Sequence, residues 1–263
     1  MAQQDISNII ELYNSGKSQI KIASQFNCSQ TLISKILIEN KVKTRVSKKV
    51  TYDMNKDFFK VINSEESAYF LGLLYADGCV SIRKCGYTAS IKLHSRDQVI
   101  IEKFRDIMSP LSPIKICNGK YSYFRINQKE ICEQLIGHGC VPKKSLILQF
   151  PKKLPTRLVS HFIRGYSDGD GSIYNNKLKN GVNTIWKIVS TLDFCNYVKH
   201  ILKKELGINC GVYLSKNKIT SSLVVGGNIQ VKKVLDWLYI GASVYLPRKY
   251  DKYIGFIKNT KSS

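Results

Sequence analysis

The sequence predicts an α+β protein: two pseudo-symmetric αββαββα halves, preceded by a small all-α module. Three observations carry this reading. After residue 63 the same order of helical and alternating segments runs twice, with GLLYADG (72–78) answered by GYSDGDG (165–171), 93 positions on. Residues 1–46 show only helical periodicity. Finally, 41 Lys+Arg stand against 19 Asp+Glu, a formal net charge of +22 spread along the chain, which points to a polyanionic partner, nucleic acid first. A hydrophobic content of 43% with 15 tyrosines excludes a disordered chain.

The first segment, DISNIIELYN, sets Ile6, Ile9, Ile10 and Tyr13 on one helical face. QIKIASQFN turns Ile22, Ala23 and Phe26 inward. Ser29 is placed to cap a third helix whose apolar stripe is Leu32, Ile33, Ile36 and Leu37. Three short helices with a tight turn before the third resemble the helix-turn-helix of DNA invertases and transposases. That resemblance makes Gln30, Thr31, Ser34 and Lys35 the side chains directed at bases; a helical bundle for protein contacts is the alternative. The domain reading is therefore a helix-turn-helix module at 1–46, a basic linker at 47–63, a first half at 64–151 and a second at 152–263.

The first half opens on the helix SEESAYFLGLLYADG, followed by strands CVSIRK and TASIKLHS and the helix RDQVIIEKFRDIM. Strands around PIKIC and KYSYFRIN, the helix KEICEQLIGHG and VPKKS complete it. The second half repeats the order from PTRLVSHFIRGYSDGDG through SIYNN, NTIWKIVS, FCNYVKHILKKELG, CGVYLS, SSLVV and QVKKVLDWLYIG to LPRKY. No apolar segment reaches membrane-spanning length and the N-terminus lacks a signal-peptide pattern, so the expected location is intracellular, cytoplasmic or organellar, with no membrane partner. Eight cysteines form no Cys-x-x-Cys and no zinc spacing, and are expected to be reduced and without a role.

Each motif helix places small residues four apart, Gly72 and Ala76, then Gly165 and Gly169, which lets two helix backbones approach closely. Each pair is followed by Asp and then Gly, the glycine suited to a left-handed position after the helix. An acid at a helix C-terminus sits against the dipole, so a duplicated one calls for a reason beyond stability. If the helices pack together, Asp77 and Asp170 end side by side, where two carboxylates repel unless cations lie between them. Such pairs serve metal-assisted phosphodiester hydrolysis.

These residues resemble the LAGLIDADG homing endonucleases over 64–255. The resemblance implies a monomer whose two sheets form a saddle over double-stranded DNA, with Asp77 and Asp170 binding Mg²⁺ (Mn²⁺ as substitute) for double-strand cleavage. Tyr75 and Asp168 occupy the motif's earlier acid position, which is not a metal ligand in the family. A basic residue beside each metal is also implied. VPKKS over LPRKY aligns Lys144 with Lys249, with Lys143 and Arg248 as substitutes and surface lysines as the bland alternative. Strand alternation directs Ser81, Arg83, Ser90, Lys92, Tyr123 and Arg125 to the groove, with Val80, Ile82, Ile91, Leu93, Phe124 and Ile126 inward. In the second half Tyr174, Lys187, Lys216 and Lys218 are the analogues, and TIWKIVS fits either facing of Lys187. A non-catalytic nucleic-acid-binding protein on the same scaffold, an intron maturase with intron RNA as partner or a transcription regulator, is the alternative function. An intein is disfavoured, since the chain lacks the residue-1 nucleophile and terminal His-Asn that splicing needs.

Overall fold

The computed structural model describes residues 3–45, 51–84, 86–178, 181–216 and 219–261. These divide into two compact units, Met1–Thr51 and Tyr52–Ser263. The first is built from α1 (Gln3–Asn14), α2 (Gln19–Gln25) and α3 (Gln30–Glu39). Ser18 and Ser29 cap α2 and α3, each accepting a hydrogen bond from a first-turn amide, which satisfies donors that a helix start otherwise leaves unpaired. Its core is Ile9, Tyr13, Ile22, Ala23, Ile33, Ile36 and Leu37. Leu32, expected inside, is instead exposed in the first turn of α3, whose buried residues are Ile33, Ile36 and Leu37. Arg45 returns to this unit: its amide donates to the Tyr13 hydroxyl at 2.7 Å and its guanidinium to the Gly16 carbonyl at 2.7 Å.

The second unit begins with α4 (Glu65–Asp77), β1 (Gly78–Arg83), β2 (Gly86–His94), α5 (Gln98–Met108), β3 (Lys115–Cys117), β4 (Tyr121–Ile126) and α6 (Lys129–Gly137). The order repeats as α7 (Val159–Asp170), β5 (Gly171–Leu178), β6 (Gly181–Ser190), α8 (Leu192–Leu206), β7 (Gly211–Leu214), β8 (Ser221–Gly226) and α9 (Asn228–Tyr239), with α10 (Pro247–Lys261) added at the end. The two antiparallel sheets have matching orders, β1-β2-β4-β3 and β5-β6-β8-β7. Helices α5 and α6 cover one face of the first sheet and α8 and α9 one face of the second. This is the α+β architecture of two αββαββα halves. Residues 52–63, expected as the end of a linker, pack into this unit: Phe59 and Ile62 are buried in its core. Burying two large apolar side chains, each worth about 1.5–3 kcal/mol, favours this packing over a solvated tether.

Helices α4 and α7 pack along their length and carry one hydrophobic core through both halves. The contact is backbone to backbone. A Cβ on Gly72 would stand 2.0 Å from the Phe162 carbonyl oxygen, and one on Gly165 would stand 2.0 Å from that of Tyr69. At the N-terminal end of α4, Arg164 of α7, 1% exposed, donates to Glu65 at 2.6 Å and to the carbonyls of Leu238 and Val244 at 2.7 and 2.9 Å. A guanidinium this buried is tolerated because its donors are matched. Among the described residues no helix is long and apolar enough to cross a membrane.

Candidate active site

The acids sit where the helix pair ends. Asp77 closes α4 and Asp170 closes α7, and each is followed without a loop by the first strand of its sheet. A Cβ on Gly169 of α7 would lie 2.5 Å from Ala76 Cβ and 2.7 Å from Asp77 Oδ2, so Asp77 rests directly against the opposite motif. Gly78 and Gly171 are not left-handed as expected. Both are extended, with φ −79° and −90°. Glycine is needed there for space, since a Cβ would come within 2.4 Å of the Leu74 and Ser167 carbonyl oxygens respectively.

Partial burial and, after it, the charge of Asp170 push Asp77 up to about 6; Lys144 and Arg248 oppose the shift. Burial also raises Asp170, opposed by Lys144, then Lys249 and a contact from Tyr166. Both residues nonetheless expose surface to solvent, so the crowding is one-sided.

Lys144 and Lys249 are buried, 7% and 4% exposed. Their placement repeats the pseudo-symmetry: Lys144 Nζ donates to the Gly78 carbonyl and Lys249 Nζ to the Gly171 carbonyl, the residue after each acid. Lys249 also reaches the Ser167 carbonyl at 3.3 Å. Burial, then Arg248, lowers Lys249 to about 8. The substitutes are placed differently. Lys143 is exposed in a left-handed conformation, and Arg248 donates through Nε to both oxygens of buried Asp97 at 2.9 and 3.0 Å.

Tyr75 and Asp168, at matching motif positions, secure the segments that carry the lysines. The Tyr75 hydroxyl donates to the His138 carbonyl. Asp168, fully buried, accepts from the Leu246 amide at 2.7 Å, from Tyr69 at 2.8 Å and from Tyr239 at 2.6 Å. Its burial outweighs these three donors and raises its pKa. With three donors on its oxygens and no surface exposed, Asp168 is a structural acceptor and not a cation ligand. The Asp97–Arg248 pair was not foreseen from the sequence, because its members lie in different halves and nothing in the LPRKY segment points to Asp97.

Among the described residues, no group of three or more His, Cys, Asp or Glu side chains gathers to hold a metal. Two partly exposed carboxylates, neither in an ion pair within 4 Å among the described residues, still suit a hard divalent cation. Mg²⁺ is commonly held by one or two carboxylates with the rest of its shell from water and phosphate.

The outward strand positions largely follow the expected alternation. Ser81, Arg83, Ser90, Lys92, Tyr123 and Arg125 lie on the face opposite the helices, against buried Val80, Ile91, Leu93, Phe124 and Ile126. Ile82, expected inside, is 51% exposed; it lies one residue from the end of β1, beside the turn into β2. Trp186 and Ile188 are buried, which turns Lys187 outward, and Tyr174 is exposed on the same face. Lys216 lies in the turn after β7 and not on a strand; Lys218 lies outside the described residues. In the first unit Gln30, Thr31 and Lys35 are exposed and Ser34 half-buried on α3, with Gln30 donating to Gln19 at 3.3 Å and Lys35 3.7 Å from Glu39.

No family model matches the chain. An uncharacterised protein of Methanocaldococcus jannaschii, MJ0314, is 28% identical over 193 residues, 70% of this chain and 71% of that protein. Among solved structures, the LAGLIDADG meganuclease I-AabMI bound to uncleaved DNA covers 76% of this chain and 92% of its own, at 14% identity and a TM-score of 0.55. The LAGLIDADG homing endonuclease I-GzeII in complex with its DNA target covers 76% and 90%, at 14% and 0.54. I-SmaMI bound to cleaved DNA covers 75% and 88%, also at 14% and 0.54; it has also been seen on uncleaved DNA in the presence of calcium ions. With its duplicated motif helices and paired four-stranded sheets, the chain has the fold of the LAGLIDADG homing endonucleases.

Proposed function

We propose that the chain is a site-specific endonuclease that hydrolyses phosphodiester bonds in both strands of a DNA duplex with a divalent metal. The observation that carries this reading is the doubled site: two acids at the ends of packed helices, each followed by a carbonyl held by a buried lysine. Asp77 and Asp170 would hold the metal, which when bound supplies Lewis acidity toward the scissile phosphate. Lys144 and Lys249 place protonated amines beside the charge that develops there. The +22 charge and the outward faces of the sheets would hold the duplex. Incubating the full chain with Mg²⁺ and a plasmid library of randomised sites tests this. Linear product from one selected sequence, only with a divalent cation, is expected. Selective binding without cleavage in Mg²⁺ or Mn²⁺ would instead make it a non-cleaving nucleic-acid-binding protein of the maturase or regulator kind.

Replacing Lys144 or Lys249 by Met should slow single-turnover cleavage by about tenfold or more, with affinity changed far less. Because Lys249 sits at about 8, the wild-type rate should fall as pH rises through that value while the amine loses its proton. Lys249→Met should lose this limb. Weakened binding at an unchanged rate would make both lysines ordinary phosphate contacts.

The first unit is proposed as a helix-turn-helix that adds a groove contact through Gln30, Thr31, Ser34 and Lys35; of the expected basic linker at 47–63, residues 47–50 lie outside the described residues. The unit contains none of the site acids or lysines. A chain beginning at Tyr52 should therefore still cut, with weaker binding and a shorter footprint. Identical footprints and affinities would leave the module a protein-contact role.

A further inference from the structure

The two sheets share a register but not a surface chemistry. Gly78 pairs with Ile91 and Ile91 with Phe124 in the first; Gly171 pairs with Ile188 and Ile188 with Leu223 in the second. Each outward position therefore has a counterpart. Arg83, Lys92, Lys115 and Arg125 of the first face correspond to Asn176, Val189, Tyr213 and Val224 of the second, and Thr88 corresponds to Ile185. Lys187, the counterpart of Ser90, is the exchange in the other direction.

The first face thus carries four cations, two of them set over tyrosine rings: Lys92 lies 4.5 Å from the Tyr121 centroid and Arg125 lies 5.1 Å from that of Tyr123. The second face offers Ile185, Val189 and Val224, partly exposed, with Tyr213 62% exposed at its edge. Their strand neighbours Trp186, Ile188, Leu223 and Val225 already fill the core on the other side, so these β-branched side chains have no packing role there. Both faces start at an acid, β1 directly after Asp77 and β5 directly after Asp170.

We infer that the second face reads a thymine-rich half-site through thymine methyl groups, whereas the first reads a half-site containing guanine. This rests on the endonuclease reading and deepens it by naming the sequence class. In the major groove an A·T pair presents the thymine C5-methyl, which Ile185, Val189 and Val224 can bury without polar loss. A G·C pair presents O6, N7 and N4, which these side chains would strip of water and leave unpaired. On the first face Arg83 and Arg125 bring forked donors that match guanine O6 and N7.

Site selection from a randomised duplex with the full chain comes first, followed by affinities on the selected site with deoxyuridine replacing thymine in one half at a time. An asymmetric site is expected, one half rich in thymine, each buried methyl worth about fourfold in affinity when removed. Val224→Ala should abolish the deoxyuridine effect at one thymine of that half and leave the other half unchanged. Val224→Thr, of the same shape, exchanges one of the two methyl groups for a hydroxyl and should reduce that deoxyuridine effect, which serves if the alanine variant does not fold. Equal deoxyuridine effects in the two halves, or an effect that both Val224 variants leave intact, would overturn the inference while specific binding stands. Absence of any selected site would overturn the endonuclease reading beneath it.

Discussion

Asp77→Asn or Asp170→Asn is expected to lower double-strand cleavage by about a thousandfold or more, the scale of several kcal/mol of metal-assisted stabilisation. DNA affinity should hold or rise slightly, since one negative charge leaves a surface that faces phosphates. A second readout separates this from simple damage to the fold. Asp77 titrates at about 6, above the ordinary carboxylate range near 3.8, because of one-sided burial and the charge of Asp170. Between those values the folded chain binds more protons at Asp77 than the unfolded chain, so stability falls as pH rises through the window, and the penalty is complete above about 6. Asp77→Asn should accordingly raise the melting temperature at pH 7, with the gain shrinking as pH falls toward 4. Loss of activity together with gain of stability is what a site kept for chemistry predicts. Normal cleavage by both single variants, or a melting temperature lowered at every pH, would remove these acids from the proposed site.

Much of this site was legible in the sequence because its logic is local and repeated. Small residues four apart report a close helix crossing, and strand alternation sorted Ile91 from Lys92 and Phe124 from Arg125 by period alone. Lys144 and Lys249 were found by aligning the two copies, and no single-copy signal would have singled them out. What was illegible depends on pairing at a distance. Asp97 and Arg248 are 151 positions apart, and Asp168 meets Tyr69, Tyr239 and Leu246 from three separate segments. None of these pairings leaves a periodic trace. Gly78 and Gly171 were misread for a related reason: sequence marks a glycine but not whether its missing Cβ relieves a torsion or a collision. Ile82 was misplaced because periodicity gives a strand's facing without telling how near a position lies to the strand's end.

The other large effect concerns the helix crossing itself. Gly72→Ala and Gly165→Ala each add one carbon where there is no space: its nearest neighbour would be a carbonyl oxygen of the opposite helix at 2.0 Å, and backbone cannot step aside as a side chain can. The helices must separate, loosening the one core that both halves share. About 3 kcal/mol or more is expected, the upper end of overpacking costs, or roughly 6–12 °C in melting temperature for a unit of this size. Gly255→Ala is the control. That glycine lies in α10 with nothing within 4 Å of an added Cβ, and alanine there should stabilise by up to about 1 kcal/mol through helix propensity. Gly169→Ala falls between the two. Its Cβ would meet Ala76 Cβ at 2.5 Å and the Asp77 carboxylate at 2.7 Å. The carboxylate can swing away, and Ala76 Cβ, which cannot, stands farther off than the carbonyl oxygens that Gly72 and Gly165 face and lies in the last turn of α4, where the helix can give. Its stability loss should therefore be smaller than that of Gly72→Ala, while cleavage drops sharply because Asp77 is displaced from Asp170. Calorimetry on the four variants, with single-turnover cleavage on the same samples, orders them. Melting temperatures for Gly72→Ala and Gly165→Ala no lower than that of Gly255→Ala would mean that the two helices do not meet through these glycines.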